Sequence, residues 1–132
     1  MAVSKYYREF NPNPLDKECG DCVIRSLCAV TEKSWYEIYD MLSNLGKELA
    51  CPFDSIDIKD YDFYTHIFGM TRYKVSREKG KKALNVERFC KEHFTGKYIL
   101  RLANHMMGVV DGKYYELYPG WEDATVYTYW RL

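Results

Sequence analysis

His105-Met106-Met107-Gly108-Val109-Val110-Asp111-Gly112-Lys113-Tyr114-Tyr115-Glu116-Leu117-Tyr118 is a pair of strand-forming runs around Asp-Gly. Asp-Gly between apolar, β-prone residues is the strongest short hairpin signal, because both central positions of a type I′ turn need positive φ. A two-residue turn fixes the register. Val110 then opposes Lys113, Val109 opposes Tyr114, Met107 opposes Glu116, and His105 opposes Tyr118. Opposed residues share a face and side chains repeat every second position, so His105, Met107 and Val109 lie with Tyr114, Glu116 and Tyr118. Glu116 becomes a diagonal neighbour of His105, within reach of its imidazole.

Two further segments, Lys97 to Ala103 and Ala124 to Arg131, are rich in β-branched and aromatic residues or alternate in polarity, and read as strands. Upstream the period changes. Ser34-Trp35-Tyr36-Glu37 is a capping box, followed by Trp35, Ile38, Leu42 and Leu45 at helical spacing, with Gly46 as the expected end. Asn85 caps a third helix whose face is Val86, Phe89, Cys90 and His93 or Phe94. Helices first and strands last predict an α+β fold, with N-terminal helices packed on a C-terminal antiparallel β-meander.

The first helix carries the chemistry. Glu18-Cys19-Gly20-Asp21-Cys22 leads into the apolar run Val23, Ile24, Leu27, Ala29 and Val30, with Asp21 as the expected N-cap of a mostly buried helix from Cys22 to about Glu32. Cys22 thus sits in the first turn, where unpaired N–H groups and the positive end of the helix dipole favour a thiolate and face a developing oxyanion. Helical cysteines are more often small core residues. What makes Cys22 a candidate nucleophile is a base with an orienting group on a rigid sheet, which the His105–Glu116 diagonal supplies. By itself His105 reads as a hydrogen-bonded strand-end histidine. His66 lies in an unpatterned segment, and His93 ends a helix that packs elsewhere.

Composition narrows the classes. The 132 residues fit one domain, 1–132, and the 47% apolar and 17% aromatic fractions are enough to fill its core. Nineteen basic residues balance nineteen acidic ones, so bulk charge gives no reason to expect nucleic acid or an anionic membrane as partner. No apolar run approaches a membrane span of roughly 20 residues, and Met1 to Phe10 lacks a signal-peptide core, which gives a cytoplasmic expectation. Five cysteines at irregular spacing argue against a disulfide framework. Cys19-Gly20-Asp21-Cys22 has CxxC spacing without the second close pair that a structural zinc needs, and no metal or cofactor is expected.

The remaining segments are quieter. Residues 1–20, with Asn-Pro at Asn11 and again at Asn13, read as an extended lead-in lying on the body through Tyr6, Tyr7 and Phe10. Asp54, Asp57, Asp60 and Asp62 lack the glycine and terminal glutamate of a calcium loop and read as a solvated acidic surface, and 58–68 as a short helix. The basic run Arg72 to Lys82 reads as an exposed loop or hairpin that contributes to partner choice.

Gly-Asp-Cys-Val-Ile-Arg-Ser, Lys-Ser-Trp-Tyr-Glu-Ile-Tyr, and the run from Gly96 through His105 and Asp111-Gly112 to Glu116 resemble small papain-like cysteine peptidase domains of bacteria and phages. The likeness covers roughly residues 18–45 and 85–131. The Asp-Cys pair and the order of Cys before His are also similar to NlpC-type cell-wall amidases. The resemblance implies a papain-like fold with Cys22 as nucleophile, His105 as base and Glu116 where the family often has Asp. Papain-like enzymes commonly carry an oxyanion-hole glutamine about six residues before the cysteine. Here that residue is Asp16 and the chain has no glutamine, so the Cys22 N–H with Asn11, Asn13 or another donor would have to serve.

Two functions follow. One is thiol-dependent hydrolysis or acyl transfer on a peptide or amide bond through Cys22, His105 and Glu116, with a peptide or protein substrate. The other is a catalytically weak or inactive binding or inhibitor module, phage-encoded and directed at a host protein, which the missing glutamine and the 13 tyrosines favour. The sequence leaves substrate and oligomeric state open.

Overall fold

A computed structural model describes residues 3–52 and 63–132. The acidic run at Asp54, Asp57, Asp60 and Asp62 and the start of the 58–68 helix lie outside them. In chain order the elements are β1 (Tyr7–Glu9), α1 (Cys22–Thr31), α2 (Trp35–Leu49), α3 (Phe63–His66), β2 (Thr71–Lys74), α4 (Val86–Glu92), β3 (Lys97–Leu102), β4 (His105–Val110), β5 (Lys113–Glu116) and β6 (Thr128–Arg131). The class is α+β, and the six strands form one mixed sheet in the order β1-β5-β4-β3-β6-β2.

The hairpin has the register that its turn dictates. Val110 pairs with Lys113, Val109 with Tyr114 and Gly108 with Tyr115. Both turn residues have positive φ, 48° at Asp111 and 75° at Gly112. The turn is locked from outside, since Asp111 exchanges two bonds with Gly96: its N–H donates to the Gly96 carbonyl (2.9 Å), and its Oδ1 accepts the Gly96 N–H (3.0 Å).

The wider sheet corrects the expected all-antiparallel meander. Strands β3, β4 and β5 do form one, but β6 crosses back to pair with β3, placing Ile99 opposite Trp130, and β1 pairs with β5 in parallel, Tyr7 opposite Tyr114. The lead-in has taken the edge that a simple meander would have left for the last strand. The basic run is corrected as well: Thr71–Lys74 pairs with β6 as an edge strand, with Tyr73 stacked on Tyr129 at 5.1 Å, and only the residues after it form a loop. All four β2 residues are exposed, so the polarity alternation that marks a strand is missing.

Two apolar clusters cover the two faces. Ile24, Leu27 and Val30 of α1 and Ile38, Leu42 and Leu45 of α2 pack with Ile99 and Trp130. Val86 and Phe89 of α4 pack with Leu100, Met107, Val109 and Tyr114. Adjacent residues Ile99 and Leu100 go to opposite clusters, as the pleat requires.

Helix ends follow their chemistry with two exceptions. Ser34 and Glu37 form the reciprocal capping box, and Asn85 accepts the Arg88 N–H at 2.8 Å. Gly46 does not end α2: it is buried on the same face as Leu45, and the helix runs on to Leu49, where Ala50 takes the left-handed conformation. A glycine inside a helix is tolerated when tertiary packing holds the flanking turns. Asp21 occupies the N-cap position of α1, yet its side chain makes no capping bond. It is engaged elsewhere.

Candidate active site

Helix α1 meets β4 at unusually close range. A Cβ on Gly108 would stand 2.9 Å from Ala29 Cβ and 3.1 Å from the Ser26 carbonyl oxygen, so only glycine lets the helix settle this deeply on the strand. Docked there, α1 begins at the end of the sheet where β4 starts and β5 stops. Those end positions are Cys22, His105 and Glu116. The structure therefore gathers all three residues expected from the sequence.

His105 Nε2 lies 2.5 Å from Glu116 Oε1. Glu116 is 2% exposed and His105 is mostly buried. Cys22, half-buried, faces the same imidazole and the backbone N–H of Met106, and both favour its thiolate. With Nε2 on Glu116, Nδ1 is the ring nitrogen left for the sulfur. Burial pushes the Cys22 thiol up, but its bonds to His105 and Met106, together with the positive charges of His105 and Arg25, outweigh this and hold it below the usual thiol range. The imidazole moves the other way. Burial would lower it, but the bonds and negative charges of Cys22 and Glu116 raise it to about 9. A thiolate and an imidazolium are thus favoured together.

Three other cysteines differ. Burial and nearby carboxylates push Cys28 and Cys90 up to about 12. Burial, followed by the charge of Asp21, raises Cys19 despite its exposure.

Three features of the site were not singled out from the sequence. Arg25, 4% exposed, donates through Nη1 to Asp21 Oδ1 at 2.8 Å and places Nη2 3.3 Å from Glu116 Oε2. The other Asp21 oxygen accepts the Trp35 indole N–H at 2.8 Å, which explains why Asp21 does not cap its helix. Trp121 stacks on His105 with ring centroids 4.2 Å apart and planes 10° from parallel. The loop carrying it is tied down by Tyr114, whose hydroxyl donates to Glu122 and accepts the Gly120 N–H at 3.2 Å. A signal for Arg25 was present, as one charged residue inside an apolar helical run, four after an aspartate. For Trp121 there was none, because its loop has no pattern.

Glu116 is also braced through its backbone. Its carbonyl accepts the Phe10 N–H at 3.0 Å and the Tyr7 hydroxyl at 3.2 Å, both from the lead-in. Asn11 and Asn13, expected as oxyanion donors, fold their own loop instead: Asn11 Nδ2 reaches Asp16 Oδ1 (3.4 Å) and the Lys17 carbonyl (3.3 Å), and Asn13 Nδ2 faces Cys19 Sγ (3.8 Å). Tyr118 turns to Glu18, with its hydroxyl 2.5 Å from one carboxylate oxygen, rather than to His105. His93 stacks on Phe89 and sets Nδ1 3.0 Å from the Phe89 carbonyl oxygen, within α4 and its cap.

Among the described residues no group of three or more His, Cys, Asp or Glu is arranged to hold a metal ion, and no helix is long and apolar enough to cross a membrane. The chain matches no family model, and no curated protein or solved structure is similar enough to count as a match.

Proposed function

We propose that the chain is a papain-like, thiol-dependent hydrolase or acyl transferase acting on a peptide or other amide bond, with Cys22 as nucleophile, His105 as acid and base, and Glu116 as the group that orients the imidazole. The observation that carries this reading is the shared imidazole: Glu116 holds His105 Nε2 at 2.5 Å while Cys22, at the start of α1, faces the same ring and has its thiol held low by it. That is the arrangement of nucleophile, base and orienting group required for covalent acyl transfer.

In the first half-reaction the Cys22 thiolate sulfur bonds to the carbonyl carbon and the C=O π pair moves onto oxygen. The first N–H groups of a helix have no intrahelical acceptor, and with Asp21 turned to Arg25 and Trp35 its side chain leaves those of α1 uncapped. They face the oxyanion beside Cys22, and one good donor there is worth about 2.7–4 kcal/mol. His105 gives its proton to the amide nitrogen as the C–N bond breaks, leaving a thioester on Cys22 and a free amine. Water, or another amine in transfer, then attacks the thioester. His105 takes its proton, the C–S bond breaks, and the thiolate and imidazolium are restored. The chemistry needs no cofactor and suits a reducing cytoplasm, in which the cysteines stay free.

The test is competitive alkylation with iodoacetamide at neutral pH, mapped residue by residue by mass spectrometry. Cys22 is expected to react about tenfold or more faster than Cys19, Cys28 and Cys90, since each unit of thiol pKa changes the thiolate fraction about tenfold. Uniformly slow labelling would leave the non-catalytic binding module as the better reading, with the tyrosine-rich surface as its contact area.

A further inference from the structure

The cluster at the end of the sheet contains more charge than a Cys-His-Glu arrangement needs. A buried arginine among Ile24, Ser26 and Leu27 is costly to fold around unless it is well paired. Pairing with Asp21, four residues earlier on the same helix, would be enough to retain it structurally. Yet the guanidinium also reaches Glu116, and does so with its Nε left without a protein hydrogen-bond partner. The carboxylate it reaches is the one whose other oxygen holds His105. With Oε2 toward Arg25 and Oε1 on the imidazole, the plane of the Glu116 carboxylate is set from both sides. Asp21, Arg25, Glu116, His105 and Cys22 then form a continuous chain, negative and positive in turn.

We infer that Arg25 is a positioning residue: held by Asp21, it aims Glu116 at His105 and supplies the countercharge without which the chain of alternating charges breaks in the middle. This rests on the reading of Cys22 as the reactive thiol, and Arg25 itself touches no reacting atom. A planar fork suits the task, because it addresses two carboxylates at once in fixed directions where an ammonium acts as a point charge. The groups facing the cluster are few enough to name. Asp21, Cys22 and Arg25 come from the start of α1, Cys19 from the turn just before it, where it faces Asp21 and Arg25, and His105 from β4. Tyr7 and Glu9 come from β1, where Glu9 stands in register with Glu116, and the Tyr118–Glu18 bond joins the loop after β5 to the lead-in. In this set Arg25 is the cation that balances Glu116 from the side away from His105.

The experiment is the pH profile of Cys22 alkylation by iodoacetamide, with circular dichroism as the check on folding, in wild type, Arg25→Gln, Arg25→Lys, Glu116→Gln and the Arg25→Gln/Glu116→Gln double variant. Arg25→Gln should move the acid limb of the Cys22 profile up by about one pH unit, roughly a fivefold loss of rate at the wild-type midpoint and about tenfold well below it, as expected when an opposite charge is removed at this range. Arg25→Lys should fall between the two, and in the Glu116→Gln background the Arg25→Gln shift should shrink, since the carboxylate it acts through is gone. A folded Arg25→Gln whose limb coincides with wild type overturns the inference while leaving the proposed nucleophile intact, and so does an equal shift in both backgrounds. If Arg25→Gln does not fold, Arg25→Lys carries the test: an intermediate limb supports the positioning role and a wild-type limb overturns it. A wild-type Cys22 with no fast reaction removes the proposed function and this inference together.

Discussion

The first residue of one strand and the last residue of the next are joined by a single short bond, His105 Nε2 to Glu116 Oε1 at 2.5 Å, across a two-residue turn. The bond is largely buried and both partners belong to a rigid hairpin, so the imidazole it holds has little freedom to rotate. Glu116→Gln keeps the shape and removes the charge. The fold should survive, and Cys22 alkylation near neutral pH should slow by about tenfold, the consequence of losing roughly 1.5 kcal/mol from a charge-assisted bond. Tyr115→Phe is the control on the opposite face of β5, where the ring contacts Phe10 and Arg8. It should leave that rate unchanged. A Glu116→Gln protein that alkylates at the wild-type rate would make the glutamate structural.

Gly108 sets the depth at which α1 docks. In Gly108→Ala the new methyl meets Ala29 Cβ and the Ser26 carbonyl, neither of which belongs to a flexible side chain, so the helix must move outward. Overpacking of this kind costs about 1–3 kcal/mol, measurable by chemical denaturation. Cys22 rides on the displaced helix and should lose its fast alkylation in the folded variant. A destabilised protein with unaltered Cys22 reactivity would show that the docking depth serves stability alone.

Titration of His105 checks the electrostatics. Its raised value, about 9, means the imidazolium persists through neutrality and gives up its proton as the pH passes that point. Followed by the ring protons in NMR, the midpoint should fall in Cys22→Ser, where the thiolate that favours the imidazolium is absent. It should also fall in Trp121→Ala: an indole stacked on a cationic ring is worth about 0.5–2 kcal/mol, or about 0.4–1.5 pH units. A midpoint unmoved by Cys22→Ser would mean the sulfur and the ring do not share a proton.

Local signals were legible where neighbours in sequence settle the outcome. The hairpin register depends on Asp111-Gly112 and a two-residue pleat, and both act over a few residues. The diagonal between His105 and Glu116 therefore followed from the sequence. So did the placement of Cys22 as the first residue of a buried helix, the Ser34 capping box and the Asn85 cap. Two local expectations failed where a tertiary partner competed. Asp21 gives up its capping bond to Arg25 and Trp35, and Gly46 stays helical because its turn is packed into the core.

What the tertiary structure alone decided is which distant pieces meet. By strict alternation His105 and Glu116 belong to the face opposite Gly108, and it is Gly108 that faces α1. Cys22 reaches His105 because both are terminal positions at one end of the sheet, where a deeply seated helix begins. The parallel addition of β1, which braces Glu116 through Phe10 and Tyr7, is a choice among sheet edges that no local pattern records. Arg25 and Trp121 joined the site the same way. Turn chemistry and side-chain period are properties of adjacent residues and can be read along the chain, whereas strand order, helix depth and buried charge pairing are settled collectively, by which packing fills the core and leaves each buried charge a partner.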